Sequence, residues 1–340
     1  MTDLEIRTDM KIRNESDAEM RSPSGLPKQP VIAVVGPTGT GKTKMAIQLA
    51  NLLNGEIISG DSMQVYRQMN IGTAKATRQE QQQAIHHLID IQDYSEPYNV
   101  AIFQDKCRQA IEEISSRGRL PIICGGTGLY IKAALYDYEF RQEREDPKLK
   151  ARFEEMDNED LVRFLKTNDE KALEKIHPNN RKRLIRAAMM ACSDQKKTDR
   201  ENAQKHKPVY DVFFLGLNAD KTLVDSRIER RVDQMFEEGL AQEASSLFSQ
   251  PKSWEFTSFQ GIGYKEFRDY FEHRKSLDEV RDAIVIHSRQ YAKRQMTWFR
   301  NQMPVRWYDL QNPQQALNDA KKWAAARGYG SDRNSGGIQE

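Results

Sequence analysis

The stretch Val31-Ile-Ala-Val-Val-Gly-Pro-Thr-Gly-Thr-Gly-Lys-Thr43 decides the fold. A short apolar run enters a glycine-rich turn, and an amphipathic helical pattern begins near Lys42. Gly36, Gly41, Lys42 and Thr43 fill the pattern G-x-x-x-x-G-K-[ST]. A loop of this kind wraps backbone N–H groups around a di- or triphosphate. Its glycines permit close approach, and the helix start adds partial positive charge. Gly36, Thr38, Gly39, Thr40, Gly41, Lys42 and Thr43 are therefore the candidate phosphate-binding positions. Lys42 is placed to neutralise the terminal phosphate, and the Thr43 hydroxyl to ligate Mg²⁺. The motif announces a phosphorylated ligand. It says nothing of which one, or of what is done to it.

Around this stretch, composition sets the frame. A chain of 340 residues holds a large core and has room for two domains. The formal charge of +2 neither requires nor excludes a nucleic-acid partner, since a basic face can be balanced elsewhere. Cys107, Cys124 and Cys192 lie far apart, with neither metal spacing nor a disulfide framework, which predicts a reducing cytoplasm. No apolar run reaches membrane-spanning length, and the first residues lack the apolar centre of a secretory signal.

Strand-like runs alternate with helical patterns on both sides of the turn. Val31–Val35, Glu56–Ser59, Leu120–Cys124 and Val212–Leu217 are predicted strands. Lys42–Leu53, Asn99–Arg117 and Leu129–Leu135 are predicted helices. The alternation predicts an α/β protein of the P-loop NTPase-like kind, a parallel sheet with helices on both faces. It stops at about Asp137. Up to His206 only charged helical stretches follow: Pro147–Met156, Asn158–Thr167, Asp169–Ile176 and Asn179–Ala191. The expected organisation is a polar N-terminal tail (1–28), a core (29–137 and 207–326) interrupted by a helical insertion domain (138–206), and a flexible tail (327–340). Val212–Leu217 reads as the final core strand, with mostly helix over 220–325.

In open α/β sheets the active crevice lies beyond the carboxyl ends of the strands. The second predicted strand runs into Gly60-Asp61-Ser62-Met63-Gln64, so Asp61 falls near the phosphates. A carboxylate there suits a general base or a water-mediated metal contact, and it equally suits a helix N-cap. The third strand runs into Gly125-Gly126-Thr127-Gly128 where many P-loop ATPases carry a metal-holding aspartate. Glycines there argue against an ATP-driven motor. They mark either a surface that something approaches closely or a plain turn. Arg227 and Arg231 are four apart, on one helix face, and could clamp a diphosphate or simply meet solvent. Two basic clusters, Arg181–Arg186 and Arg289–Arg300, read singly as solvated helix faces. The second interleaves cations with Tyr291, Trp298 and Phe299, which could stack bases or pack the core.

Taken together these segments resemble the bacterial tRNA dimethylallyltransferase (tRNA isopentenyltransferase) family, from about Pro30 to Leu310. The resemblance rests on residues 36–43, Asp-Ser-Met-Gln-Val-Tyr (61–66), Met-Asn-Ile-Gly-Thr-Ala-Lys (69–75) and His-His-Leu-Ile-Asp (86–90). It continues through Gly-Gly-Thr-Gly-Leu-Tyr (125–130), His-Pro-Asn-Asn (177–180), Gly-Ile-Gly-Tyr-Lys-Glu (261–266) and residues 289–300. It implies transfer of a dimethylallyl group from dimethylallyl diphosphate to N6 of the adenosine just 3′ of the anticodon, in tRNAs reading codons that begin with U. The loop ligand would then be an isoprenyl diphosphate with Mg²⁺, not ATP. Asp61 is implied as the base. Lys42, Arg227 and Arg231 are implied to hold the leaving diphosphate. Asp61, Ser62, Met63, Gln64 and Thr127 would contact the flipped nucleotide, and Lys182, Arg183 and Arg186 the anticodon stem-loop. Many relatives have Gln-Arg where this chain has Lys182-Arg183, which leaves the role of Lys182 open. A cytoplasmic monomer is expected. The rivals are an adenylate isopentenyltransferase acting on free nucleotides and a P-loop small-molecule kinase.

Overall fold

The computed structural model describes residues 28–138, 140, 146–174, 176–192 and 207–330. The N-terminal tail read from the sequence, apart from Lys28, and residues 331–340 lie outside the described residues. Six strands form one all-parallel sheet: Pro30–Val35 (β1), Gly55–Ser59 (β2), His86–His87 (β3), Leu120–Gly125 (β4), Asp211–Asn218 (β5) and Arg306–Asp309 (β6). Their order is β3-β2-β4-β1-β5-β6. Ile32 of β1 pairs with Ile122 on one side and Phe213 on the other, so the strand that feeds the glycine loop lies inside the sheet. Strand order reverses beside it, which opens a crevice at the carboxyl ends of β1 and β4.

Each element follows from local sequence. Helix Lys42–Leu53 (α1) stops at Asn54, which adopts the left-handed conformation (φ 50°) and returns the chain directly into β2. Thr77 and Glu80 make a reciprocal capping box for the short polar helix Arg78–Gln83 (α2). Asn99 caps Val100–Ser116 (α3) through the N–H groups of Ala101 and Ile102, both at 3.0 Å. Gly128–Leu135 (α4) follows β4.

The two faces of the sheet separate by the period of two along each strand. Ile32, Val34, Ile57, Ile122, Leu215 and Leu217 pack with Met45, Leu49 and Leu53 of α1. Ala316, Ala320 and Ala324 of Pro313–Ala325 (α13) complete that layer. Fully burying one such leucine contributes about 1.5–3 kcal/mol. On the opposite side Ile123 meets Ile131 of α4 beneath Gly60.

The remaining helices of this unit are Lys221–Glu237, Leu240–Phe248, Arg268–Phe271 and Leu277–Gln302, with three 3₁₀ turns between Pro251 and Phe267. Val212–Leu217 is not the last strand. Arg306–Asp309 pairs in parallel with β5 at the sheet edge. It spans only four residues, of which Tyr308 alone is buried, too few to register as a pattern.

Residues Asp137–Lys207 form a second compact unit. It consists of Pro147–Glu155 (α5), Asn158–Asn168 (α6), Glu170–Leu173 (α7) and Arg181–Ala191 (α8) around Phe153, Leu161, Leu165, Ile176 and Leu184. In chain order the later helices are then α9 (Lys221–Glu237), α10 (Leu240–Phe248), α11 (Arg268–Phe271) and α12 (Leu277–Gln302). Residues 327–330, read from the sequence as part of a tail, begin with an anchored side chain: Arg327 Nε donates to Asp211 at 2.5 Å. No helix among the described residues is long and apolar enough to cross a membrane.

Candidate active site

The glycine loop connects β1 to α1. Gly41 caps the helix at φ 71°, and Gly36 has φ 146° with no room for a side chain, since a Cβ would fall 2.7 Å from the Leu217 carbonyl. The loop borders a cavity of about 550 Å³, lined by Thr38, Gly39, Gly41, Lys42 and Thr43. Gly36 and Thr40 do not line it. Thr40 is buried with its hydroxyl donated to Pro37 O (2.8 Å), so it offers a ligand only its backbone N–H. The Thr43 hydroxyl makes no hydrogen bond among the described residues.

Cations converge on this cavity. Lys42 Nζ donates to Pro37 O at 2.8 Å, and desolvation pushes its ammonium down to about 8. Val224, Ile228 and Val232 bury one face of α9, which leaves Arg227 and Arg231 over the loop tip. Arg231 donates to the Thr38 hydroxyl (2.9 Å), and desolvation lowers its pKa. Arg227 reaches the Gly39 carbonyl at 3.5 Å. The pair read as either clamp or solvated face is thus part of the cavity wall. Cys124, also on that wall, has its thiol pushed up to about 12 by desolvation, which keeps it protonated and unreactive.

A second cavity of about 440 Å³ shares Thr38, Asp61, Thr73, Arg231, Met235 and Tyr291 with the first. Met63, Tyr98, Tyr130, Ile262, Lys265 and Arg294 give it an apolar and basic lining. Asp61, just past β2, stands where the two cavities meet. Its Oδ1 accepts from Met63 N (2.8 Å) and Gln64 N (3.4 Å), which is the cap-like role. Its Oδ2 has no partner among the described residues. One oxygen thus fixes the carboxylate and the other is open. Ser62 N donates to Thr127 Oγ1 (3.2 Å), and Gln64 Oε1 accepts from Ser59 (2.9 Å), which joins the strand ends.

The glycines after β4 are close-approach positions. A Cβ on Gly125 would lie 2.2 Å from Gly60 O, on Gly126 2.1 Å from Gln295 Nε2, and on Gly128 2.1 Å from Trp298. Trp298 and the fully buried Phe299 are thus packing residues. Of the three aromatics in that basic run only Tyr291 lines the cavities. Desolvation and the Asp61 charge raise its phenol.

The sequence did not reveal Gln295. Its Oε1 accepts Thr38 N–H and its Nε2 donates to Gly126 O, both at 2.9 Å, so one buried amide ties the phosphate loop to the β4 turn. The only sequence signal was its place in the 289–300 motif.

In the second unit, Asn180 caps α8 by accepting Arg183 N–H (3.3 Å), which accounts for the end of His-Pro-Asn-Asn. Arg181 is engaged internally, with Asn158 Oδ1 (3.2 Å) and Glu154 O (2.6 Å). Lys182, Arg183 and Arg186 are exposed, and their side chains have no partner among the described residues.

The sequence model of IPP transferase matches residues 64–302, and that of isopentenyl transferase residues 29–96. A tRNA dimethylallyltransferase of Bacillus pumilus is 47% identical over 291 residues, covering 84% of this chain and 91% of that protein. One from Geobacillus thermodenitrificans is 46% identical over 289 residues, with 84% and 91% covered. The solved tRNA isopentenylpyrophosphate transferase of Bacillus halodurans has 41% identity and a TM-score of 0.67, over 88% of this chain and 98% of that one. A eukaryotic dimethylallyltransferase, crystallised acting on tRNA, has 30% identity and a TM-score of 0.78 over 90% and 82%. With a phosphate loop, a carboxylate between two cavities and relatives matched along most of its length, the chain belongs to the IPP transferase family.

Proposed function

We propose that this protein transfers a dimethylallyl group from dimethylallyl diphosphate to N6 of the adenosine 3′ of the anticodon in tRNA, releasing diphosphate. The observation that carries the reading is the open Oδ2 of Asp61 at the junction of a cationic cavity and an apolar, basic one. The diphosphate would lie against the loop N–H groups, Lys42, Arg227 and Arg231. Ile57, Ile71, Ile89 and Met235 supply apolar lining suited to a five-carbon chain. The second cavity suits a purine turned out of the anticodon stack, since a stacked base cannot reach a recessed carbon.

In the reaction the N6 nitrogen forms a bond to C1 of the allyl group as the C1–O bond breaks. The electron pair of that bond leaves on the diphosphate, and the N6 proton passes to Asp61 Oδ2. An adenine amine is a weak nucleophile because its lone pair is delocalised, so a positioned base matters. The cations stabilise charge that grows as the leaving group departs.

Mg²⁺ fits this site. Thr43 offers an unengaged hydroxyl at the cavity wall, and no cluster of three ligating side chains occurs among the described residues. Mg²⁺ commonly takes few protein ligands, with waters and substrate phosphates completing its shell. When bound it would supply charge neutralisation to the diphosphate. Lys182, Arg183 and Arg186 would hold phosphates of the anticodon stem-loop.

The test is incubation with labelled dimethylallyl diphosphate and a choice of tRNA, AMP and ATP. Label on the adenosine 3′ of the anticodon is the expected result. Label on AMP or ATP alone would replace this reading with a free-nucleotide prenyltransferase.

A further inference from the structure

The loop Met69–Lys75 walls both cavities. Asn70, Ile71 and Ala74 face the first, Gly72 the second, and Thr73 both. It is not regular structure, and two residues at its ends, Gln68 (φ 67°) and Ala74 (φ 47°), occupy the left-handed region that such residues seldom adopt. Bonds within the loop, Ala74 N–H to Ile71 O and Lys75 N–H to Asn70 O, shape its turn, and further contacts reach it from outside.

Three successive backbone N–H groups, those of Asn70, Ile71 and Gly72, point at a single acceptor. It is the carboxylate of Glu243 in α10, at 2.9, 3.0 and 3.1 Å. The Tyr264 hydroxyl donates to the same group at 2.6 Å. Gly72 lies flat on the Tyr264 ring, where a Cβ would come within 2.5 Å. Successive N–H groups turned to one point make an anion-binding concavity, and here a side chain of the protein fills it.

The far side of the loop meets the catalytic wall. Gln64 Nε2 donates to Ala74 O (3.2 Å) and, more weakly, to Thr73 O (3.4 Å). Gln64 N in turn donates to Asp61 Oδ1. A continuous chain of contacts runs from Glu243 through residues 70–74 and Gln64 to Asp61. Glu243 itself lines neither cavity.

We propose that Glu243 is a positioning residue for the transfer: its carboxylate fixes the Met69–Lys75 loop and, through Gln64, the acceptor side of the Asp61 site. The inference rests on the reading of Asp61 and the second cavity given above. The glycine loop that would hold the diphosphate is fixed separately, by Gln295, Pro37 and α9, so on the donor side only the apolar wall that includes Ile71 depends on Glu243.

Glu243→Gln tests this. Both carboxylate oxygens accept N–H bonds, so the amide NH₂ must oppose a donor whichever way it turns. The expected result is a fall of about 10- to 100-fold in kcat/KM for an anticodon stem-loop, the range for charge-assisted bonds lost. Affinity for inorganic diphosphate, which needs only the glycine loop and its cations, should stay within about twofold. Hydrogen exchange at the amides of 70–72 should quicken while that of α1 does not. Wild-type enzyme run alongside separates the two readings, since an inactive wild type refutes the function and an unaffected variant refutes only the role of Glu243. An acceptor kcat/KM within about twofold of wild type overturns the proposal, as does an equal loss of inorganic diphosphate affinity. Should Glu243→Gln not fold, Tyr264→Phe removes one donor to the carboxylate. A loss of about tenfold on the acceptor with inorganic diphosphate affinity unchanged supports the proposal, and an unchanged kcat/KM overturns it.

Discussion

Lys42 gives the site a pH dependence whose size follows from its surroundings. Desolvation brings its ammonium to about 8, against an ordinary 10.5. A bound diphosphate restores the charge and raises that value again. In the free protein Lys42 therefore loses its proton above about pH 8, and the diphosphate must bind with uptake of one. If the bound value exceeds about 11, donor affinity should weaken about 25-fold between pH 7.5 and 9.5, with about 0.9 proton taken up at pH 9. Calorimetric titration of the protein with dimethylallyl diphosphate in two buffers of different ionisation enthalpy measures both. Lys42→Arg should flatten the profile, since a guanidinium does not titrate there. The sign for folding is opposite. The folded pKa lies below the unfolded one, so the unfolded chain binds more protons between about pH 8 and 10.5. The ligand-free protein should gain stability as pH rises through that window, a gain absent from Lys42→Met. A flat affinity profile in the wild type, or the same slope in Lys42→Met, would refute the reasoning.

Asp61→Ala should lower the single-turnover rate by about 10²–10⁴-fold while tRNA affinity is kept, and a rate within about threefold of wild type at neutral pH excludes Asp61 as the base. Gln295→Ala leaves Thr38 N–H and Gly126 O without their partner. At about 1–3 kcal/mol for an unsatisfied buried group, donor kcat/KM should fall at least tenfold, and an unchanged value would mean the loop holds itself. Replacing Arg183 and Arg186 together by alanine should weaken stem-loop binding and reduce the log–log salt slope by roughly 0.7–0.9 per lost phosphate contact. Dimethylallyl diphosphate binding should be untouched, and an unchanged slope in a mutant that melts like wild type would return those arginines to solvated surface.

What could be read from the sequence was local. The glycine loop, α1 with its abrupt end at Asn54, and the strand ends carrying Asp61 and Gly125 are encoded within a few residues of themselves. Arg227 and Arg231 were legible as a helical pair, but nothing nearby says that α9 lies on the loop. Edge strands β3 and β6 escaped because two and four residues cannot establish a period. That the Thr40 hydroxyl is held by Pro37 O, leaving only its backbone N–H for a ligand, could not be read from the sequence. Gln295 and Glu243 were invisible for one shared reason. Each is a polar residue on a helix, indistinguishable by pattern from solvated surface, and each finds its backbone partners more than 160 positions away.

The glycines after β4 explain how a phosphate-binding fold is turned to carbon chemistry. P-loop ATPases place a metal-holding aspartate near that strand end. Here a side chain at Gly125 would strike the Gly60 backbone, and one at Gly126 would strike Gln295. The space is filled by α12, packed close enough for Trp298 to lie on Gly128 and for Gln295 to hold the loop. An aspartate at these positions and this packing of α12 thus exclude one another. The same packing sets Tyr291 at the border of the two cavities. The nearby carboxylate, Asp61, comes from β2 and has its open oxygen where an acceptor rather than a phosphoryl group would stand. A residue that restored the aspartate at Gly126 should therefore not create an ATPase. It should displace Gln295, loosen Thr38 and cost donor binding first.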